Sequence, residues 1–279
     1  LNKIIYVKNF QQKIVVITGA GSGMGRSMAI QMAQKGATVL LSDINEDALS
    51  ETKKLIQSGK GICKTYIVDV GDRAQVYAFA ASVLDEYSYI DVLINNAGIA
   101  IGEASLNEIP EADFERLINI NMWGVIHHTK AFLEALLGRP EAAIVNTSSV
   151  FGLMGIPSQI PYCTSKFAVR GFTDSLRLEL TGTNVAVTCV HPGGIDTNIV
   201  SNGIHYHGKK DATVKQFKKL VMTTADSAAS IIIRAIEKKS KRVMVGPDAK
   251  VIRFLTQVSP DLVDNQILSR KKKFEAGSK

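Results

Sequence analysis

Residues 14–25 read IVVITGAGSGMG. Five apolar or β-branched residues have the composition of a buried strand. They run straight into four glycines, Gly19, Gly21, Gly23 and Gly25. A stretch with helical spacing follows from Met24 to Lys35, where Met28 and Met32, and Ala29 and Ala33, recur at i+4 and Gly36 supplies a stop. Glycines between a strand and a helix permit a tight turn and let a phosphate approach the backbone. The free N–H groups and positive dipole end of the helix then face that phosphate. The loop departs from G-x-G-x-x-G, because Arg26 occupies the place of a third glycine after Gly21 and Gly23.

The strand–helix alternation continues outward. Residues 38–42, 64–68, 91–95, 143–148, 185–190 and 242–245 read as further buried strands. Residues 46–58, 73–87, 111–137, 162–181 and 226–239 read as helices between them. This is the pattern of an α/β fold: a single Rossmann-type doubly wound domain over 1–279, its core about 10–250, with a seven-stranded parallel sheet and helices on both faces. Residues 193–222 are polar and glycine-interrupted at their start, and read as a lid loop over a substrate. Residues 251–279 form a basic C-terminal extension, in which Val251, Ile252, Phe254, Leu255 and Val258 share a helical face.

The second strand ends at Asp43, 24 residues beyond Gly19. A carboxylate there accepts hydrogen bonds from the adenosine ribose and repels a 2′-phosphate. Ile44 follows where a 2′-phosphate would call for arginine. The expected cofactor is therefore NAD, preferred over NADP. Further along, PYCTSKFA (161–168) places Tyr162 and Lys166 at i and i+4, on one helical face. An ammonium beside a phenol favours the phenolate, so this tyrosine is expected to exchange a proton near neutral pH. The alternative is an ordinary amphipathic helix.

These motifs resemble those of the classical short-chain dehydrogenase/reductase family over about residues 10–250. Thr18–Gly25 matches its T-G-x-x-x-G-x-G, Asn95–Gly98 its N-N-A-G, and Tyr162–Lys166 its Y-x-x-x-K. The family serine, thirteen residues before the tyrosine, falls on Ser149 rather than Ser148; the helix asparagine falls on Asn121; the P-G and following threonine are Pro192, Gly193 and Thr197. The resemblance implies hydride transfer between NAD(H) and a secondary alcohol or carbonyl. Tyr162 is then the proton donor and acceptor, and Ser149 polarises the substrate oxygen. Lys166 lowers the tyrosine pKa and binds the nicotinamide ribose, and Asn121 anchors a water. Gly19, Ser22, Gly23, Met24 and Gly25 would hold the cofactor's pyrophosphate, and Asp43 and Ile44 its adenosine ribose. Asp69 and Val70 would flank the adenine, with Asn96, Ala97, Gly98, Pro192, Gly193, Ile195 and Thr197 completing the site beside Tyr162 and Lys166. Simpler roles stand beside these: a bonded helix bend at Asn121, a turn at Asp69, a helix cap at Thr197. The resemblance also implies pairing of the Asn121 and Tyr162 helices across subunits, as a homodimer or homotetramer.

Composition bounds the rest. Charged residues are 21% and hydrophobic ones 46% of 279, as in a chain with an ample core. No apolar run reaches bilayer length, and LNKIIYVKNF lacks the pattern of a signal peptide. Cys63, Cys163 and Cys189 fit no zinc or C-x-x-C spacing and read as free thiols in the cytoplasm. His205 and His207 form H-x-H near Asp211, but without a third imidazole or thiol they read as a solvated loop, so no metal is expected. His127, His128 and Trp123 read as packing residues, and His191 as closing the sixth strand. The net charge of +7 lies mostly in the second half, with a run at 270–273. It lacks the interleaved aromatics of nucleic-acid binding and reads as a solvated tail. Lid residues Ile195, Ile199, Val200, Ile204, Tyr206, Leu220, Val221 and Met222 favour a hydrophobic substrate. The extension could cover the substrate site, pack on a partner subunit or lie on a membrane surface. The rivals are an acyl-thioester reductase whose basic tail meets coenzyme A phosphates, a cofactor-binding sensor or scaffold without turnover, and a membrane-surface or nucleic-acid protein using its charge.

Overall fold

A computed structural model of the chain describes residues 9–208 and 210–276. The expectation drawn from LNKIIYVKNF rests mainly on residues 1–8, and the side chains of the run 270–273 belong with them outside the described residues. The chain begins as alternating units: β1 (Ile14–Thr18), α1 (Gly23–Gln34), β2 (Thr38–Asp43), α2 (Glu46–Ser58), β3 (Ile62–Ile67), α3 (Arg73–Tyr87) and β4 (Val92–Asn95). It continues with α4 (Glu111–Ile118), α5 (Gly124–Leu137), β5 (Ala142–Thr147), α6 (Ile160–Glu179) and β6 (Val185–Pro192). Then come β7 (Ile195–Asp196), α7 (Lys210–Leu220), β8 (Thr223–Thr224), α8 (Ala225–Glu237), β9 (Arg242–Val245), α9 (Pro247–Val258) and α10 (Pro260–Ala276).

Seven strands form one parallel sheet in the order β3-β2-β1-β4-β5-β6-β9, and β7 and β8 pair separately. The order reverses between β1 and β4. In open α/β sheets, the carboxyl ends of the strands at that reversal frame the binding crevice. One face is covered by α1, α2 and α8, through Met28, Met32, Leu49, Ile56, Ile232 and Ile236. The other is covered by α3, α5 and α6, through Val76, Phe79, Phe132 and Leu176. The central strands are largely apolar because both their faces are buried, and the buried Asn95 of β4 donates to Asn146 of β5 at 2.8 Å. β3 departs from the buried-strand expectation: it is a sheet edge, with Ile62 65% and Ile67 57% exposed.

Two further departures bear on function. The single helix expected over 111–137 is interrupted by a π-helical turn at Asn119–Trp123, centred on Asn121. Such turns re-aim side chains within a helix. The lid is not loop throughout, since α7 occupies its second half without burying a residue. No helix among the described residues is long and apolar enough to cross a membrane.

Candidate active site

β1 delivers Thr18 to the glycine loop. Gly19 has φ +67°, and a Cβ there would lie 2.8 Å from the Ala97 Cα. A Cβ on Gly25 would strike the Gly19 carbonyl. The glycines therefore let α1 begin hard against the strand ends. Ser22, the N-cap of α1, makes no side-chain capping bond, whereas Asn45, Asp72 and Thr224 do cap α2, α3 and α8. The first-turn amides of α1 thus lack a side-chain acceptor, at the positive end of the helix dipole. That arrangement fits a bound pyrophosphate. Met24 faces inward against the core.

Asp43 at the end of β2 is held at both oxygens. Oδ2 accepts from the Gly21 N–H at 2.9 Å and Oδ1 from the Asn45 N–H at 3.0 Å. Each oxygen keeps a second lone pair for another donor. Ile44 beside it is exposed. Arg26, the one nearby cation of the loop, is already engaged: Nε donates to the Gly21 carbonyl and to Thr52 Oγ1, and Nη2 pairs with Glu51 at 2.7 Å. Asp69 makes the turn bond weighed for it, accepting from the Gly71 N–H at 2.8 Å, with Val70 buried behind.

The N-N-A-G segment closes the other side. Thr18 Oγ1 accepts from both the Asn96 and Ala97 amides at 3.0 Å. Asn121 is fully buried; its Oδ1 accepts from Ile99 N–H at 2.8 Å, and its Nδ2 donates to the Ile99 carbonyl at 2.9 Å and to Ser165 Oγ. Its side chain is thus spent on holding the backbone after Gly98. A Cβ on Gly98 would lie 3.1 Å from Asn121 Oδ1 and 3.4 Å from Lys166 Nζ, so this residue marks where the two meet.

The two adjacent serines after β5 part company. Ser148 Oγ donates to the Lys166 carbonyl at 2.7 Å, which ties the strand end to α6. Ser149 Oγ accepts from the Phe151 N–H at 3.1 Å and lies close enough to Tyr162 to favour its ionised form. Lys166 Nζ donates to the Thr147 carbonyl at 3.1 Å and lies 5.5 Å from the centre of the Tyr162 ring. Burial pushes Tyr162 up to about 12, with the Ser149 hydrogen bond pulling back. Burial also pushes Lys166 down to about 8. The expected lowering of the tyrosine by the lysine charge is thus overruled: desolvation opposes both charged forms, and it dominates here. His191 closes β6 as expected. Its Nδ1 lies 3.0 Å from the Ser149 carbonyl, and burial pushes the ring down to about 4, so it is neutral and donates that bond. Cys163 is buried, and its thiol is pushed up by desolvation.

Beyond Pro192 the chain turns over the loop. Gly193 N–H donates to the Val245 carbonyl at 2.9 Å and Gly194 N–H to Asp248 Oδ2 at 2.7 Å. A Cβ on Gly23 would lie 2.9 Å from the Thr197 methyl, so Thr197 packs on the glycine loop. Ile195 sits in the core at 2% exposure and does not line the lid as expected. Ile204 bridges to Ile101, and Tyr206 Oη donates to Asp113 Oδ2 at 2.9 Å. The lid is thereby clasped to the segment after N-N-A-G. Ile99, Ile101, Phe114, Ile204 and Tyr206 then join Tyr162 in one apolar cluster. Leu220 and Met222 stay exposed outside it. His205 turns to the Val200 carbonyl and His207 to Glu108, so H-x-H does not converge. No trio of metal-ligating side chains occurs among the described residues.

Asp248 was not among the residues singled out from the sequence, although it braces the Gly194 turn. Its signal was Gly-Pro-Asp directly after a strand, a helix start with its acid in the first turn.

A sequence model of the family described as short chain dehydrogenase matches residues 13–205. The chain is 38% identical over 256 residues to a protein of Mycobacterium tuberculosis named as the oxidoreductase SadH, covering 90% of this chain and 92% of that one. Its fold matches a short-chain dehydrogenase/reductase from Burkholderia phymatum in complex with NAD, with TM-score 0.83 and 29% identity, over 92% of this chain and 96% of the other. A metagenomic short-chain oxidoreductase in complex with NADP has TM-score 0.72 at 23% identity, over 85% and 97%, a likeness of fold alone.

Proposed function

The chain belongs to the short-chain dehydrogenase/reductase family, and from that membership we propose an NAD-dependent oxidoreductase of apolar secondary alcohols and the matching ketones. The observation that carries this reading is the gathering of Ser149, Tyr162 and Lys166 at the strand ends beside the glycine loop. The uncapped α1 would hold the pyrophosphate, through Gly19 and Ser22 to Gly25. Asp43 and Ile44 would meet the adenosine ribose, with Asp69 and Val70 near the adenine. Asn96, Ala97, Gly98, Pro192, Gly193, Ile195 and Thr197 would line the nicotinamide side, and Lys166 and Tyr162 its ribose. Bound nicotinamide supplies or accepts the hydride.

The chain's own residues handle the proton. A protonated Tyr162 Oη gives its proton to a carbonyl oxygen, and Ser149 Oγ donates a second hydrogen bond to the same oxygen. Lys166, held by the Thr147 carbonyl, keeps a cation near the phenol as it loses the proton. Asn121 fixes the backbone that walls this corner. The apolar cluster around Tyr162 excludes water and favours a hydrophobic substrate. Asp43, with Arg26 already engaged, supports NAD over NADP.

Residues 193–222 act as the substrate lid of one domain, 1–279, with 251–279 as an extension. Three free thiols support a cytoplasmic location. Exposed Trp123, Phe167 and Ile160 support pairing of copies into a homodimer or homotetramer.

The test is NADH formation over secondary alcohols graded by chain length and ring size, for wild type and Tyr162→Phe. Turnover that rises with apolar bulk and falls by about 10³ in the variant is expected. NADH binding without turnover by either protein would sink the reading and bring forward acyl-thioester reduction or a sensor role.

A further inference from the structure

We propose that the outer face of α9, with the end of α7, docks on an anionic lipid surface and sets the substrate mouth against it. This rests on the reading of the substrate as apolar.

The face is built for contact. Val251, Phe254 and Val258 stand at i, i+3 and i+7, one stripe of α9, and are 57%, 63% and 66% exposed. Ala249, on the opposite side, is fully buried. α9 therefore has an apolar side in the protein and an apolar side in solvent. α7 ends close by: Met222 N–H donates to the Gly194 carbonyl, while Asp248 of α9 accepts from the Gly194 N–H. Leu220 and Met222 there are 57% and 62% exposed.

Charge selects the occupant. Lys215, Lys218 and Lys219 on α7 and Lys250 on α9 are exposed beside these apolar residues. On the acidic side, Asp248 is turned inward to Gly194 and Asp211 lies at the far end of α7, while Asp261 and Asp264 stand exposed on α10 beyond Val258, away from the α7 lysines in the chain. Apolar side chains flanked by lysines match the interfacial zone of an anionic bilayer, whose acyl region takes the first and whose headgroups take the second. The surface also adjoins the site, because α9 packs by the 150–152 turn after Ser149, and α7 is part of the lid. A lipophilic alcohol dissolved in the bilayer would meet the apolar cluster around Tyr162 without crossing water.

The test is co-sedimentation of the full chain with phosphatidylglycerol or phosphatidylcholine vesicles at graded salt. Binding to the anionic vesicles that weakens with salt is expected, with little binding to phosphatidylcholine. Phe254→Ser should lower partitioning at least about tenfold, and Lys218→Ala with Lys219→Ala about thirtyfold. Phe254→Ser should oxidise a short water-soluble alcohol at the wild-type rate, and both variants should keep the wild-type melting temperature, which shows that they fold. Tyr162→Phe should bind vesicles like wild type, so failure of the catalytic reading leaves this one standing. No binding at low salt overturns the proposal, as does binding indifferent to these substitutions. So does an oligomer that Phe254→Ser splits, since the stripe would then be covered by another copy.

Discussion

At the scale of single residues, the identity of the candidate site was legible and its electrostatics were not. The Y-x-x-x-K spacing marked Tyr162 and Lys166, and the thirteen-residue interval separated Ser149 from Ser148, which the structure spends on the Lys166 carbonyl. What spacing does not carry is depth. Lys166 is 3% exposed, and burial reverses the sense of the expected tyrosine shift. A Tyr162 pushed up to about 12 is protonated at neutral pH and ready to give a proton, so ketone reduction should hold level from pH 6 to 8. Alcohol oxidation, which needs the phenolate, should rise with pH over the same range; initial rates in both directions check this. Lys166 has the opposite strain. Its folded pKa of about 8 lies below its ordinary 10.5, so the unfolded chain binds that proton more tightly. Stability is lost as pH falls from 10.5 to 8, and the deficit persists at pH 7. Lys166→Met should therefore be inactive yet more stable at pH 7, on the order of 1–3 kcal/mol after the lost bond to Thr147 is counted. Urea unfolding that shows a loss instead would contradict the burial argument.

At the scale of elements, regular periodicity was read well and interruptions were not. The helix over 111–137 was read as one element, and the bonded bend weighed at Asn121 was the one sign of the π turn there. That turn depends on Asn121 bonding the Ile99 backbone, a partner 22 residues away. The lid was read as irregular because its first half is rich in glycine, while the helical spacing of 210–220 was overlooked. α9 was legible as amphipathic, but the work of its first turn was not. Asp248 is the bond between that helix and the Gly194 turn. Asp248→Ala should raise KM for NAD about tenfold with a smaller effect on kcat, as removal of one charged hydrogen bond predicts. Asp248→Asn, which keeps an acceptor, should restore most of it. Equal losses in both variants would assign the residue a purely packing role.

At the scale of the whole molecule, the doubly wound sheet followed from the alternation of strands and helices, because parallel strands buried on both faces have to be largely apolar. The edge position of β3 did not, since strand order is a matter of long-range pairing. Two buried histidines lie on the same face of the sheet assembly. His128 of α5 donates to the Gly124 carbonyl, packs on Phe79, and is held down to about 4 by burial; His191 is held down alike. Both folded values lie below the ordinary 6.5, so the unfolded chain takes up those protons first. Stability should fall as pH drops from 6.5 to 4, by up to roughly 3 kcal/mol for each ring. Denaturant midpoints measured across that window should shift less in His128→Gln than in wild type.

The occupied guanidinium of Arg26 has a consequence for how this protein could diverge. Its Nε and Nη2 are committed to the Gly21 carbonyl, Thr52 and Glu51, while Asp43 guards the neighbouring ground. Removing the acid alone would leave the Arg26 guanidinium tied at Nε and Nη2 to Gly21, Thr52 and Glu51. Releasing the arginine alone, by loss of Glu51, would set it beside an intact carboxylate. Each change is unrewarded until the other is made. On the proposed NAD reading, a lineage carrying this arrangement would drift at its lid and surface while its choice of dinucleotide held, because the two changes, at Asp43 and at Glu51 eight positions further along the chain, are rewarded only together.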